Sequence, residues 1–252
     1  MAVRARRSKS PGGQHFLRSS ALAAELVRAA GIGPGDLVLD LGAGTGVLTR
    51  ALVRAGARVV AVELDPVLAG RLRSRFSRVV EDDVLRVPLP REPFHVVANL
   101  PFACGTAILR RLLDPEVPLM TADVIVEWGL AEKRTAVWPS TRLSVEWSAS
   151  FELTLVRRMP RSCFAPPPAV DAALMRAVRR EEPLVPPERA HEYHRFVEVG
   201  FRGGLRTVVP PRQLKRLATE LGFARDARPR DLDAGQWAGL FRAAAMSRSA
   251  GV

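Results

Sequence analysis

The sequence predicts an α/β fold in which a largely parallel sheet carries helices on both faces, followed by a smaller all-helical domain. Short apolar runs typical of buried strands alternate with helical patterns from residue 37 to residue 126. Three glycines, Gly42, Gly44 and Gly46, follow the first of these runs directly, where a strand of such a sheet turns into a helix. Beyond residue 180 the strand patterns stop and helical periodicity predominates.

The individual elements follow from local patterns. The first helix is expected over residues 20–31, with Ser20 as its N-cap and Gly31 as its stop. Strands are expected at residues 37–41, 59–63, 79–81, 96–99, 123–126, 151–156 and 172–175, with helices from the glycine turn to residue 55 and over residues 106–113. Three more helices are expected over residues 188–201, 211–221 and 234–245, with Asp233 as the N-cap of the last.

The charge of the chain indicates a polyanionic partner. Its 252 residues carry a formal net charge of +12, almost all of it from arginine. Arginine pairs bidentately with phosphate and stacks on bases, so nucleic acid is the first candidate. An arginine-rich compositional bias is the alternative. The predicted C-terminal helices are themselves basic, through Arg202, Arg206, Arg212, Lys215, Arg216, Arg225, Arg228 and Arg230. They indicate either an RNA-binding lobe or a solvated helical surface.

We predict three segments: a disordered basic tail over residues 1–12, a catalytic domain over 13–180 and a helical RNA-binding domain over 181–252. No run approaches the roughly 18 apolar residues that a membrane span needs, and the basic N-terminus is not followed by the apolar core of a signal peptide. Cys104 and Cys163 have no metal-ligand spacing. We therefore expect no metal, reduced thiols, a cytoplasmic location and a monomer.

The glycine turn predicts a nucleoside site. Its Gly-x-Gly-x-Gly spacing is one residue short of the dinucleotide fingerprint, which favours a nucleoside carrying an amino acid over one carrying a pyrophosphate. Glu63 ends the next strand, where a carboxylate accepts from ribose hydroxyls; the alternative is an acid at a helix N-terminus. Asp82 and Asp83 follow the third strand, and a carboxylate there is expected to accept from a cofactor adenine, with Val84 packed on the ring; the alternative for either Asp is a turn residue. A purely structural glycine turn is the alternative for the whole motif.

The fourth strand delivers a second motif, Asn99-Leu100-Pro101-Phe102. The Asn99 side-chain oxygen and the Leu100 carbonyl supply two acceptors for the amino group of an adenine, and the Phe102 ring supplies a stacking surface. The alternative is a strand-to-loop turn with a core phenylalanine.

Two further segments are expected beside the site. The segment containing His15 and Leu17 precedes the first helix and is placed to cross the mouth of the site. The proline loop, residues 162–171, is placed to hold Phe164 as the second face of an aromatic sandwich around the target base. A stiff connector is the alternative for this loop.

Taken in order, these motifs resemble the ribosomal RNA adenine N6-methyltransferases over residues 12–175. Residues 229–241 are similar to the Erm macrolide-resistance enzymes of that family. The resemblance implies a Rossmann-like S-adenosylmethionine-dependent methyltransferase domain. It also implies particular roles for site residues: His15 and Leu17 at the amino-acid end of the cofactor, Gly42 beneath it, Glu63 on its ribose, Asp83 and Val84 on its adenine, Asn99 between cofactor and target, and Phe102 on the target base.

The chain departs from this family at two positions, since many members have Asn where His15 stands and Tyr where Phe102 stands. The implied substrate is one adenine in the peptidyl-transferase loop of 23S rRNA, in a ribosomal precursor, whose methylation blocks macrolide, lincosamide and streptogramin B binding. A 16S rRNA dimethylase and a non-catalytic RNA-binding factor on the same fold are the alternatives. A DNA adenine methyltransferase is disfavoured, because the sequence has no separate base-reading domain.

Overall fold

The computed structural model describes residues 14–249, so the predicted basic tail lies outside the described residues. Its strands are β1 (Phe16–Leu17), β2 (Leu37–Leu41), β3 (Arg58–Glu63), β4 (Val79–Glu81), β5 (Phe94–Asn99), β6 (Leu119–Glu127), β7 (Phe151–Met159), β8 (Phe164–Ala165) and β9 (Ala172–Arg179). Its helices are α1 (Ser20–Ala29), α2 (Val47–Arg54), α3 (Pro66–Arg73), α4 (Gly105–Leu112), α5 (Trp128–Thr135), α6 (Arg142–Ser148), α7 (Ala190–Gly203), α8 (Pro211–Leu221) and α9 (Ala234–Ser249).

A seven-stranded sheet forms the centre of the fold, in the order β4-β3-β2-β5-β6-β9-β7. The first five strands of this order are parallel, and β9 and β7 are antiparallel to their neighbours. The chain moves outward from β2 through β3 to β4 and then returns to the other side of β2 with β5. Ligands bind beyond the carboxyl ends of the strands at such a switch point, so the ends of β2 and β5 are where a site is expected.

Helices cover both faces of the sheet, as predicted. One face packs against α4, α5 and α6 through residues such as Ile108, Ala131 and Trp147. The opposite face packs against α1 and α2 through residues such as Leu26 and Leu52. All five residues of β2 are buried, which explains why its sequence is an apolar run rather than an alternating one.

Most of the predicted elements are present, and α8 has the predicted bounds. The N-cap of α1 is Ser19 rather than Ser20, because the Ser19 hydroxyl accepts from the Leu22 amide at 3.1 Å. Helices α5 and α6 and the short strands β1 and β8 were not predicted. The two helices are short and mix polar with apolar residues, and the two strands have only two residues each; such segments take their structure from tertiary contacts.

The C-terminal helices enclose a second core, which contains Tyr193, Phe196, Trp237 and Phe241. Val145, within α6, and Ala149, just after its end, also belong to this core. The Leu184 amide donates to the Ala149 carbonyl at 2.8 Å. The helical region therefore packs on residues that precede the predicted boundary at 180/181. No helix among residues 14–249 is both long and apolar enough to cross a lipid bilayer.

Candidate active site

The glycine turn connects β2 to α2. Gly42, Gly44 and Gly46 have φ angles of +77°, +57° and +77°, in the left-handed region that side chains disfavour. A Cβ atom on Gly44 would lie 2.7 Å from the ring of Phe16, and one on Gly46 would lie 2.6 Å from Leu72. The turn therefore needs glycine for its conformation and for close packing.

Glu63 ties this turn to the end of β3. Its side chain is 4% exposed and accepts from the Gly44 amide at 2.7 Å and from the Asp65 amide at 2.9 Å. The N-cap of α3 is Asp65, which accepts from the Val67 and Leu68 amides, so Glu63 is not the helix cap. Each Glu63 oxygen has further lone-pair capacity, and a ribose contact stays a prediction.

Asp83 and Val84 follow β4, as expected. The Asp83 Oδ1 accepts a hydrogen bond from the Leu85 amide at 2.9 Å. This contact is typical of a turn residue, the alternative that the sequence left open beside cofactor binding. Its Oδ2 has no hydrogen bond within the described residues. Val84 is 7% exposed and belongs to the core on the α4 face of the sheet, which leaves little of its side chain for a ligand.

Asn99 ends β5, beside the glycine turn. Its Nδ2 donates to the His15 carbonyl at 2.6 Å. Because a carbonyl oxygen only accepts, this bond fixes the orientation of the amide. The Asn99 Oδ1 is then buried without a hydrogen-bond partner among the described residues. Buried polar atoms are nearly always paired, so this free acceptor points to a ligand.

Leu100 and Phe102, which follow Asn99 in the chain, differ in burial. The Leu100 side chain is buried, and its amide donates to the Ile125 carbonyl at 3.0 Å; Pro101 follows with φ −59°. The Phe102 ring is half-buried and lies 5.7 Å from the His15 ring, tilted by 48°. Part of this ring therefore remains available for stacking.

The structure corrects the prediction for Phe164. This side chain is 0% exposed and packs in the same core as Leu17, its partner in the β1–β8 pairing. Its ring therefore has no exposed face on which a base could stack. Residues paired across two strands point to the same face, so the pairing that buries Leu17 also buries Phe164.

The N-terminal strap, residues 14–18, crosses the site as predicted. Strand β1 pairs with β8 of the proline loop, and the Arg18 amide donates to the Cys163 carbonyl at 3.0 Å. The His15 Nδ1 lies 2.9 Å from the Pro166 carbonyl. Leu17, Gly42 and Asn99 together line a cavity of about 20 Å³, which is about the volume that one water molecule needs.

The cavity is also lined by residues to which the sequence analysis gave no site role, among them Phe16 and Asp40. Asp40 is 1% exposed, and its Oδ2 accepts from the Thr49 hydroxyl at 2.6 Å. Burial raises the pKa of Asp40 to about 7, against the lowering effect of the Thr49 bonds. An acidic residue two positions before Gly42 was the available signal.

The described residues contain no group of three or more His, Cys, Asp and Glu side chains arranged to hold a metal ion. Cys104 and Cys163 are free thiols. The arrangement fits a nucleoside cofactor, because a buried acceptor without a partner among the described residues lies beside a glycine-rich turn at the switch point of a parallel sheet. Together the fold and the site define an S-adenosylmethionine-dependent methyltransferase.

Comparison with known proteins identifies the family. The family model for ribosomal RNA adenine dimethylases matches residues 5–241. The chain therefore belongs to the ribosomal RNA adenine dimethylase family and is an S-adenosylmethionine-dependent rRNA (adenine-N6)-methyltransferase.

Two relatives and one solved structure support this assignment. The chain is 36% identical to the mycinamicin-resistance protein MyrB of Micromonospora griseorubida, over 91% of this chain and 77% of MyrB. It is 30% identical to an rRNA adenine N-6-methyltransferase of Bacillus licheniformis, over 93% of this chain and 87% of the relative. The crystal structure of the 23S rRNA methyltransferase ErmE superposes with a TM-score of 0.80 at 33% identity, over 90% of this chain and 98% of ErmE.

Proposed function

We propose that this protein methylates N6 of one adenine in the peptidyl-transferase loop of 23S rRNA and thereby confers resistance to macrolides, lincosamides and streptogramin B. The observation that carries the proposal is the buried Asn99 Oδ1, which has no hydrogen-bond partner among the described residues, three positions before the half-buried Phe102 ring. The name of ErmE, a 23S rRNA methyltransferase, supports 23S rRNA over 16S rRNA as the substrate, and the name of MyrB, a mycinamicin-resistance protein, supports the resistance role.

The chemistry of the site follows from its two acceptors. The Asn99 Oδ1 and the Leu100 carbonyl accept the two N–H groups of the adenine amine, which draws the N6 lone pair out of conjugation with the ring. The Phe102 ring stacks on the flipped base and holds its plane. The contribution of the protein is orientation and well-placed dipoles, because no acid or base lies within this motif.

S-adenosylmethionine, when bound, supplies an activated methyl group on a positively charged sulfur. We assign Glu63 to its ribose, Asp83 to its adenine, and the backbone around Gly42 and Leu17 to its amino-acid end. The open Oδ2 of Asp83 and the remaining lone pairs of Glu63 are consistent with these roles. Val84 contributes at most an edge of its side chain, because it is 7% exposed.

The RNA is expected to contact the basic helical region as well. All eight basic side chains noted above are exposed, and counterion release on phosphate binding makes such contacts salt-dependent. We propose free precursor RNA as the substrate, a monomeric enzyme, and action in the cytoplasm, where ribosomal RNA is assembled.

The test is transfer of tritiated methyl groups from S-adenosylmethionine to protein-free 23S and 16S rRNA, followed by primer extension. A single stop at a peptidyl-transferase adenine of 23S rRNA is the expected result. Label in 16S rRNA alone would replace the proposal with the dimethylase alternative. Cofactor binding without label in either RNA would favour the non-catalytic factor.

A further inference from the structure

We propose that His15 is a positioning residue: its side chain fastens the N-terminal strap to the proline loop, so that its main-chain carbonyl holds the Asn99 amide in the acceptor orientation. The inference rests on the role proposed above for Asn99. It gives His15 a different role from the cofactor contact that the family resemblance implies.

The main-chain contact decides which atom of Asn99 faces the substrate. Nδ2 and Oδ1 have nearly the same size, and only their hydrogen-bond partners distinguish the two orientations of the amide. In this protein the partner is the His15 carbonyl, 2.6 Å from Nδ2. Without that carbonyl, rotation of the amide would present a donor to a substrate group that is also a donor.

Besides the burial of Leu17, the strap that carries this carbonyl is held by few hydrogen bonds. Strand β1 pairs with β8 over only two residues, and one further backbone bond joins Arg18 to Cys163. A two-residue strand is too short to be stable alone. The bond between His15 Nδ1 and the Pro166 carbonyl, at 2.9 Å, is therefore a substantial part of the attachment.

The His15 side chain is directed at the loop and not at the cofactor cavity. Because the Pro166 carbonyl only accepts, Nδ1 carries the hydrogen in this contact. The same ring lies 5.7 Å from the Phe102 ring, and His15 is not among the residues that line the cavity around Gly42. One side chain thus connects the strap, the proline loop and the stacking residue.

Two substitutions separate the effect of the His15 Nδ1 hydrogen bond from the effect of the ring that lies beside Phe102. His15→Phe keeps an aromatic ring beside Phe102 but removes the Nδ1 donor. His15→Asn removes the ring but keeps an N–H donor at a similar distance from the backbone. His191→Ala is the matched control, because the His191 side chain lies in α7 of the helical region, is 72% exposed and, among the described residues, forms an ion pair only with Glu116.

The experiment measures single-turnover methyl transfer at saturating S-adenosylmethionine, cofactor affinity by calorimetry, and thermal unfolding of each variant. We expect His15→Phe to lower the rate about tenfold, the value of one hydrogen bond, with cofactor affinity changed less than about twofold. We expect His15→Asn to restore most of the rate. A fall in cofactor affinity with an unchanged saturated rate would overturn the proposal and make His15 a cofactor contact.

A double-mutant cycle keeps the test decisive if His15→Phe also lowers stability. If His15 acts through Asn99, adding His15→Phe to Asn99→Ala has no further effect on the rate; a full additive loss would refute the proposal. Wild-type turnover by Asn99→Ala alone would remove the proposed function itself. An inactive Asn99→Ala beside a fully active His15→Phe would remove only the role of His15.

Discussion

The core of the helical region and the carboxyl edge of the sheet are built from different kinds of contact. In the helical region, the Phe196 ring meets Trp237 and Phe241 at 6.1 and 5.5 Å in edge arrangements, and the basic side chains lie outside. At the sheet edge, Asp40, Glu63 and the Asn99 amide are polar groups held in buried positions by specific partners.

Because of this difference, substitutions in the two regions are expected to change different properties of the protein. A core of interlocking rings depends on volume, so its substitutions change stability. The sheet edge depends on single atoms, because each of its polar groups has one or two partners and Asn99 Oδ1 has none among the described residues. We therefore expect substitutions at the edge to change turnover and substitutions in the helical core to change folding.

Asn99→Ala is expected to have the largest effect on activity. Removal of one preorganised group at a reacting centre typically lowers turnover about 100- to 1000-fold, and the cofactor site is otherwise intact. Single-turnover methyl transfer on 23S rRNA measures the effect, with thermal unfolding to verify the fold. Turnover close to that of the wild-type enzyme in a folded variant would contradict the role given to this amide.

Trp237→Ala tests the other side of the comparison. The Trp237 ring is 0% exposed and stacks on Phe201 at 5.3 Å, so we expect the free energy of unfolding to fall by about 3 to 5 kcal/mol. Urea unfolding measures this change. Trp138→Ala is the control, since Trp138 is 60% exposed; equal losses in the two variants would show that ring burial is not the cause.

Much of this architecture was predictable, and the exceptions share a cause. Local sequence patterns predict strands β2 to β5 and the glycine turn, because buried parallel strands are apolar runs and the site lies at their carboxyl ends. The roles of Phe16 and Phe164 depend on the pairing of β1 with β8, which joins residues about 150 positions apart. No local pattern carries that information.

The Asn99 orientation was beyond sequence reasoning for the same reason. The sequence indicates an amide at the end of β5, and it also places a polar segment near the mouth of the site. Only the structure shows that the His15 carbonyl selects which amide atom remains free. Likewise, the buried state of Asp40 depends on the covering strap and on Thr49.

The raised pKa of Asp40, about 7 because of burial, predicts a pH-dependent stability. In the unfolded chain this carboxyl ionises near pH 4, whereas in the folded protein it stays protonated until about pH 7. Folding therefore becomes less favourable as pH rises between these values, by about 3 kcal/mol. Asp40→Asn should lack this decline. If the free energies of unfolding of the two proteins changed with pH in the same way from pH 4 to 8, the raised pKa of Asp40 would be disproved.

Phe102→Ala and Phe164→Ala compare a half-buried ring with a fully buried one. Loss of base stacking is worth about 1 to 3 kcal/mol, so we expect turnover to fall about 5- to 150-fold while stability changes little; Phe102→Tyr should keep turnover. Phe164→Ala, which removes a fully buried ring, should chiefly lower the free energy of unfolding. If instead Phe164→Ala lowered turnover and Phe102→Ala lowered the free energy of unfolding, Phe164 would be the residue that binds the base.

The exposed face of α8 gives the smallest expected effect, and it tests whether the helical region does more than pack. Arg212 and Lys215 form no ion pair with other described residues, whereas Arg216 pairs with Glu220 at 3.3 Å. If Arg212 and Lys215 contact phosphates, replacing either with Ala should weaken RNA binding at every sequence and reduce the slope of log affinity against log salt by about one. Arg216→Ala serves as the matched control, because part of its charge is already neutralised by Glu220. Filter binding from 50 to 200 mM salt measures the slopes. Unchanged slopes in the Arg212 and Lys215 variants would restrict the RNA interface to the sheet edge and leave the charge of α8 as a solvated surface.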